Sequence, residues 1–122
     1  MTEDVLRPPD QQPLLTYVAD KELDAITFVR SYMQFRFDDA TLTVYNSPAV
    51  ETPDGVATEG MSGYADRLRG LIGQKIVGAT ERDDHGLELV FAGGSVIRIS
   101  PNPSLPEVAL LQVGDGSVWA VW

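Results

Sequence analysis

One hundred and twenty-two residues carry 18 Asp and Glu against nine Lys and Arg, a formal charge of −9, with 43% hydrophobic residues and no cysteine. This is one domain's length of chain with enough apolar content for its own core, and it excludes a disulfide framework. An acidic surface repels phosphate backbones, which argues against nucleic acid as a partner; no apolar run approaches the ~20 residues of a membrane span, and the N-terminus lacks a secretory pattern, so a cytoplasmic location is expected.

Residues 1–13 hold three prolines, three acids and no hydrophobic period, and read as an extended arm before a single domain over 14–122. The next stretch, LLTYVADKEL from Leu14, fits either one helical face or a short strand at Leu15–Val18. Ala25 to Phe37 alternates as one long strand whose buried face changes near Arg30-Ser31, where a bulge is expected. Asp38-Asp39-Ala40 turns the chain, and Thr41 to Tyr45 returns with Leu42 and Val44 inward. Thr52-Pro53-Asp54-Gly55 has the residues of a type I turn between short strands at 49–51 and 56–58.

Ser62 to Ile72 is the clearest helix, with Ser62 as N-cap, Asp66 in the opening turn and Gly73 as the stop. Its apolar face is Tyr64, Leu68, Leu71 and Ile72, and it is expected to lie across the sheet. Lys75 to Glu81 is then a strand, followed by the polar turn Arg82 to Gly86. Leu87 to Ser100 reads as a hairpin around Ala92-Gly93-Gly94, with Leu87, Leu89 and Phe91 inward. Three prolines at 101, 103 and 106 interrupt pairing before a last strand pair, 107–113 and 117–122, around Gly114-Asp115-Gly116. Trp119 and Trp122 stand three apart, so in one strand they face opposite sides, one to the core and one to the surface.

The two hairpins share a form. Met33 to Phe37 aligns on Leu87 to Phe91, Asp38-Asp39-Ala40 on Ala92-Gly93-Gly94, and Thr41 to Tyr45 on Ser95 to Ile99. The fold class expected is therefore α+β: mainly antiparallel sheet from two pseudo-repeated meander units, neither able to bury its apolar face alone, with one amphipathic helix at about 62–72 packed on the sheet. The runs FDDATL at 37–42, LIGQKIV at 71–77 and LELVFAGGSVIRI at 87–99 resemble those of small uncharacterised bacterial proteins catalogued as domains of unknown function, over about residues 23–122. Some such acidic proteins look like immunity proteins that neutralise bacterial toxins; the resemblance implies a binding role and assigns no toxin-contacting residue.

Little in the chain suggests chemistry. Asp83, Asp84 and His85 form the tightest carboxylate–imidazole cluster, but the one histidine precedes Gly86 in a turn, and Asp and Gly are what tight turns require. Asp38 and Asp39 belong to another such turn, without the regular oxygen spacing of a calcium loop. No Gly-x-Ser-x-Gly elbow occurs, and neither Gly93-Gly94 nor Gly114-Asp115-Gly116 opens a helix as a phosphate cradle does. No catalytic residue, metal ligand or cofactor is assigned. What remains is surface: Arg30, Tyr32, Gln34 and Arg36 on the outer face of the long strand, joined by Trp119 or Trp122, have the composition of interface anchors. Two kinds of partner fit, a second copy of the chain bound through a strand edge or the arm, and a basic protein attracted by the acidic charge. The competing reading is a small-molecule binder or minor enzyme with a pocket between sheet and helix and with Asp83 and His85 at its mouth.

Overall fold

The structure is a computed structural model that describes residues 12–116 and 118–122. Apart from Gln12 and Pro13, which open a short helix, the expected N-terminal arm lies outside the described residues. Among the described residues ten strands form two antiparallel sheets of five. β1 (Ala25–Val29), β2 (Tyr32–Phe37) and β3 (Ala40–Val44) make a meander, continued in the same sheet by β9 (Ala109–Val113) and β10 (Val118–Val121). β6 (Ile76–Glu81), β7 (Leu87–Phe91) and β8 (Val96–Ile99) make a second meander, continued by β4 (Ala49–Thr52) and β5 (Gly55–Ala57). Each meander thus sends its following hairpin across to the other sheet.

Period-two alternation sets which side of each strand is buried. In the first sheet Met33, Phe35 and Phe37 face inward, opposite Val44, Leu42 and Ala40, and Leu42 in turn stands opposite Leu111. In the second, Leu87, Leu89, Ile97, Ile99 and Val50 do the same. The two inward sets belong to one buried cluster, so neither sheet has a core of its own. A β-strand needs such a partner surface, because an isolated two-stranded hairpin is marginal in water.

Three expectations are corrected. Ala25 to Phe37 is a hairpin, not one bulged strand: Arg30-Ser31 is a two-residue turn, and the change of buried face is the chain reversing. The helix is shorter than 62–72. It is α2 (Tyr64–Arg69), and its N-cap is Gly63 at φ +82°, not Ser62; a left-handed cap is open to glycine at no steric cost. Tyr64, Leu68 and Leu71 join the shared core, while Ile72 stays 40% exposed beyond the last turn. It is also not the sole helix. Leu14 to Val18 is helical, as α1 (Gln12–Leu15) and a 3₁₀ turn (Thr16–Val18), burying Leu15 and Val18 in the same core.

The second hairpin turn is one residue longer than the first. Phe37 pairs with Ala40 around two residues, whereas Phe91 N donates its turn bond to Ser95 O around three. Structurally, then, Ala40 to Val44 corresponds to Ser95 to Ile99, one step from the alignment suggested by the sequence. A bulge at Val77, between the pairs Ile76–Phe91 and Gly78–Val90, puts Ile76 and Ala79 both inside and leaves Val77 59% exposed.

The segments before β1 and β6 meet at a seam with local twofold character. Glu22 bridges to Lys75. Around that pair, Asp20 N donates to Ile76 O at 2.7 Å and Gly73 N to Leu23 O at 2.8 Å. Ile76 N donates to Lys21 O at 2.9 Å and Leu23 N to Gln74 O at 3.0 Å. Asp20 and Gly73 occupy corresponding positions and both have positive φ, +68° and +93°. Asp tolerates that conformation better than most non-glycine residues.

Candidate functional site

The outer face of the first sheet follows from the register. Residues Ala25, Arg36, Thr41, Gln112 and Trp119 form one row across all five strands. Thr27, Gln34, Thr43, Leu110 and Val121 form the next. Tyr32 begins a third and meets Tyr45 edge-on, with ring centroids 6.0 Å apart. The Gln34 amide donates to the Thr43 hydroxyl at 3.2 Å, which satisfies the one buried threonine on this face. Trp119 is 57% exposed at the end of the first row.

Of the residues singled out in the sequence, Tyr32, Gln34, Arg36 and Trp119 therefore share one surface. Arg30 does not lie on it: it sits at the exposed tip of the β1–β2 turn. Trp122 is packed against the core, and its indole Nε1–H donates to Glu81 Oε1 at 2.9 Å. Thr41 and Gln112, which join Arg36 to Trp119, carry no signal of their own. They are placed there only by the long-range pairing of β3 with β9, which no local pattern announces.

One end of this face is acidic. Arg36, Asp38, Asp39, Thr41, Gln112 and Asp115 line an open hollow where the β2–β3 and β9–β10 turns come together. Asp39 Oδ2 accepts a hydrogen bond from the Tyr17 hydroxyl at 2.7 Å, and Asp24 Oδ2 accepts one from the Asp38 amide at 2.7 Å. The bond to Asp39, together with slight desolvation and the charges of Asp39 and Asp38, raises the Tyr17 phenol above its ordinary range. By contrast, the outer face of the second sheet balances its own charge. Arg98 lies between Glu51 and Glu88, with its Nε donating to Glu88 at 2.9 Å, and the two carboxylates hold the guanidinium proton even more tightly than usual.

No family model, curated protein or solved structure matches this chain.

The turn at Asp83, Asp84 and His85 is built as a turn. Arg82 N donates to Gly86 O at 2.7 Å, and Asp84 Oδ1 accepts from Gly86 N at 2.9 Å. A Cβ on Gly86 would meet Ile99 O at 2.9 Å, so the chain passes too close there for any side chain. His85 is left-handed (φ +68°), its side chain 60% exposed, with Nδ1 3.1 Å from Glu81 Oε2. Neither Asp83 nor His85 lines the acidic hollow or the cavity beside α2. Among the described residues no group of three or more His, Asp or Glu is placed to hold a metal ion.

A cavity of about 490 Å³ lies elsewhere, between the β1–β2 hairpin, the start of α2 and the 102–105 loop. Phe28, Met33, Val44, Tyr64 and Leu105 give it an apolar wall. Tyr64 is almost fully buried and donates its hydroxyl to Pro48 O at 2.6 Å. Burial, with a smaller contribution from the Glu59 charge, pushes the Tyr64 phenol up to about 12. Its folded value exceeds the unfolded one near 10, so the linked stability is complete below pH ~10 and is lost as pH rises toward 12. Tyr64→Phe should accordingly flatten the fall in unfolding midpoint between pH ~10 and ~12. Urea titrations at several pH values in this window check it; an unchanged slope in the variant would remove Tyr64 as the cause.

Proposed function

We propose that this chain is a non-enzymatic binding protein, immunity-like or regulatory, that docks a basic protein partner on the outer face of its first sheet. The observation that carries this reading is Trp119. A tryptophan more than half exposed costs solubility, and here it ends a row of Gln, Thr and Arg on a sheet face beside the acidic turns of Asp38, Asp39 and Asp115. Aromatic anchors with a charged rim are what protein interfaces use, and the −9 charge would speed encounter with a cationic surface. Among the described residues no helix is long and apolar enough to cross a membrane. The absence of cysteine suits a reducing cytoplasm.

The test is capture from host extract at low and high salt, followed by mass spectrometry. The expected catch has a strongly basic composition, is released as salt rises, and is lost with Trp119→Ala while Trp119→Phe retains part of it. Equal capture by the alanine variant, or a catch indifferent to salt, would refute this reading.

A second reading, self-association, is favoured by one observation. The edge strand β1, AITFV, has neither charge nor proline, and Phe28 and Val29 on it are 49% and 39% exposed. Unprotected edges of this kind template pairing with another copy. Sedimentation velocity separates the two readings: a dimer disrupted by Thr27→Lys points to the edge, and a monomer over the accessible concentration range rejects it.

A further inference from the structure

The two sheets place corresponding residues in corresponding positions, and one pair differs in a way that describes a ligand. In β5 and β10, Ala57 opposite Val50 matches Ala120 opposite Leu111; two residues further on stand Glu59 and Trp122. In β1 and β6, Phe28 opposite Met33 matches Glu81 opposite Leu87. In one unit the pair is thus Trp122 with Glu81, an indole half-buried on the core with its N–H on a carboxylate at 2.9 Å. In the other unit the pair is Glu59 with Phe28, and no indole is supplied. There the 490 Å³ cavity opens, with both residues in its lining.

We propose that this cavity binds a small aromatic acid of the indole type, which takes the place that the Trp122 side chain fills in the other unit. Three features define the class. Phe28, Met33 and Leu105 give a planar ring an apolar bed, and the volume falls within the ~300–1,000 Å³ of small-molecule sites. The Glu59 carboxylate is available to accept a ring N–H, as Glu81 does from Trp122. Arg30 also lines the cavity and has no ion pair among the described residues, so it supplies a cation for an acidic substituent. Trp119, Gln34 and Arg36 lie outside this lining, and Tyr32 is the one residue that the cavity shares with the proposed docking face.

The experiment titrates the full chain with indole-3-acetate and with indole, followed by NMR and calorimetry. Both should perturb the Met33 methyl and the Tyr64 ring, with indole-3-acetate the tighter. Arg30→Gln should weaken indole-3-acetate about tenfold, or ~1.4 kcal/mol, and leave indole unchanged. Ala65→Phe, which places a ring in the cavity from an exposed helical position, should abolish both while Trp119→Ala affects neither. No perturbation by either compound at millimolar concentration, or binding that survives Ala65→Phe in a folded variant, would overturn the proposal.

Discussion

Phe35→Ala is expected to lower the stability of the whole protein by about 3–5 kcal/mol in one cooperative transition. Phe35 is fully buried in β2, with Ile26 opposite it on one side and Leu42 on the other. Its removal loses the transfer free energy of a benzyl group and leaves a cavity that a sheet held by hydrogen bonds on both sides cannot close. Domains of this size are stable by only about 5–15 kcal/mol, so a loss of this order moves the urea midpoint by a large fraction. Because the inward sets of both sheets form one cluster, damage in the first sheet should reach the second. Circular dichroism and the fluorescence of the two tryptophans should therefore follow a single transition at a lower midpoint. Arg36→Ala, next door but outward, should change stability by less than ~0.5 kcal/mol. Two separated transitions in Phe35→Ala would mean that the sheets hold together independently.

Much of this fold was legible in the alternation of side chains. Leu42, Val44, Leu89 and Ile99 are all buried, as the period-two pattern requires, and the turns at 52–55 and 114–116 fall where Pro, Gly and Asp put them. What was not legible was long-range. Ala25 to Phe37 reads as one strand because Arg30-Ser31 lacks the Gly and Asn that usually mark a reversal. The stretch from Leu14 fits a helical face or a short strand, and burial of Leu15 and Val18 in the shared core, a long-range effect, decides for the helix. At the candidate site, Tyr32, Gln34 and Arg36 were found together because they are neighbours in one strand. Trp119 reaches them only across β3 and β9, through a pairing of residues some seventy positions apart. The cavity escaped for the same reason: its walls come from four separate segments.

That crossed pairing leads to the other large effect. If the chain is divided between Met61 and Ser62, within the exposed turn 58–63, residues 1–61 and 62–122 should each fail to fold alone and should fold when mixed. The first half carries β1–β2–β3 together with β4–β5, which belong to the other sheet; the second carries β6–β7–β8 with β9–β10, which belong to the first. Alone, either half leaves the inner edge of its meander unpaired and its apolar face in water. For the first half the lost contacts include Leu42 opposite Leu111; for the second, Ile97 opposite Val50. The inward faces of the two sheets form one cluster, so a half alone lacks the surface that covers its apolar side, whereas the exchange of hairpins between the halves restores both sheets and the seam at Glu22 and Lys75. The measurement is circular dichroism and size exclusion on each half and on an equimolar mixture. The expected result is strand signal and cooperative unfolding in the mixture alone, with a midpoint that rises with concentration because the covalent link no longer holds the halves together. Cooperative unfolding of either half as a monomer would show that a meander can satisfy its own inner edge, and the exchanged hairpins would then be an ornament on two independent units instead of the device that joins them.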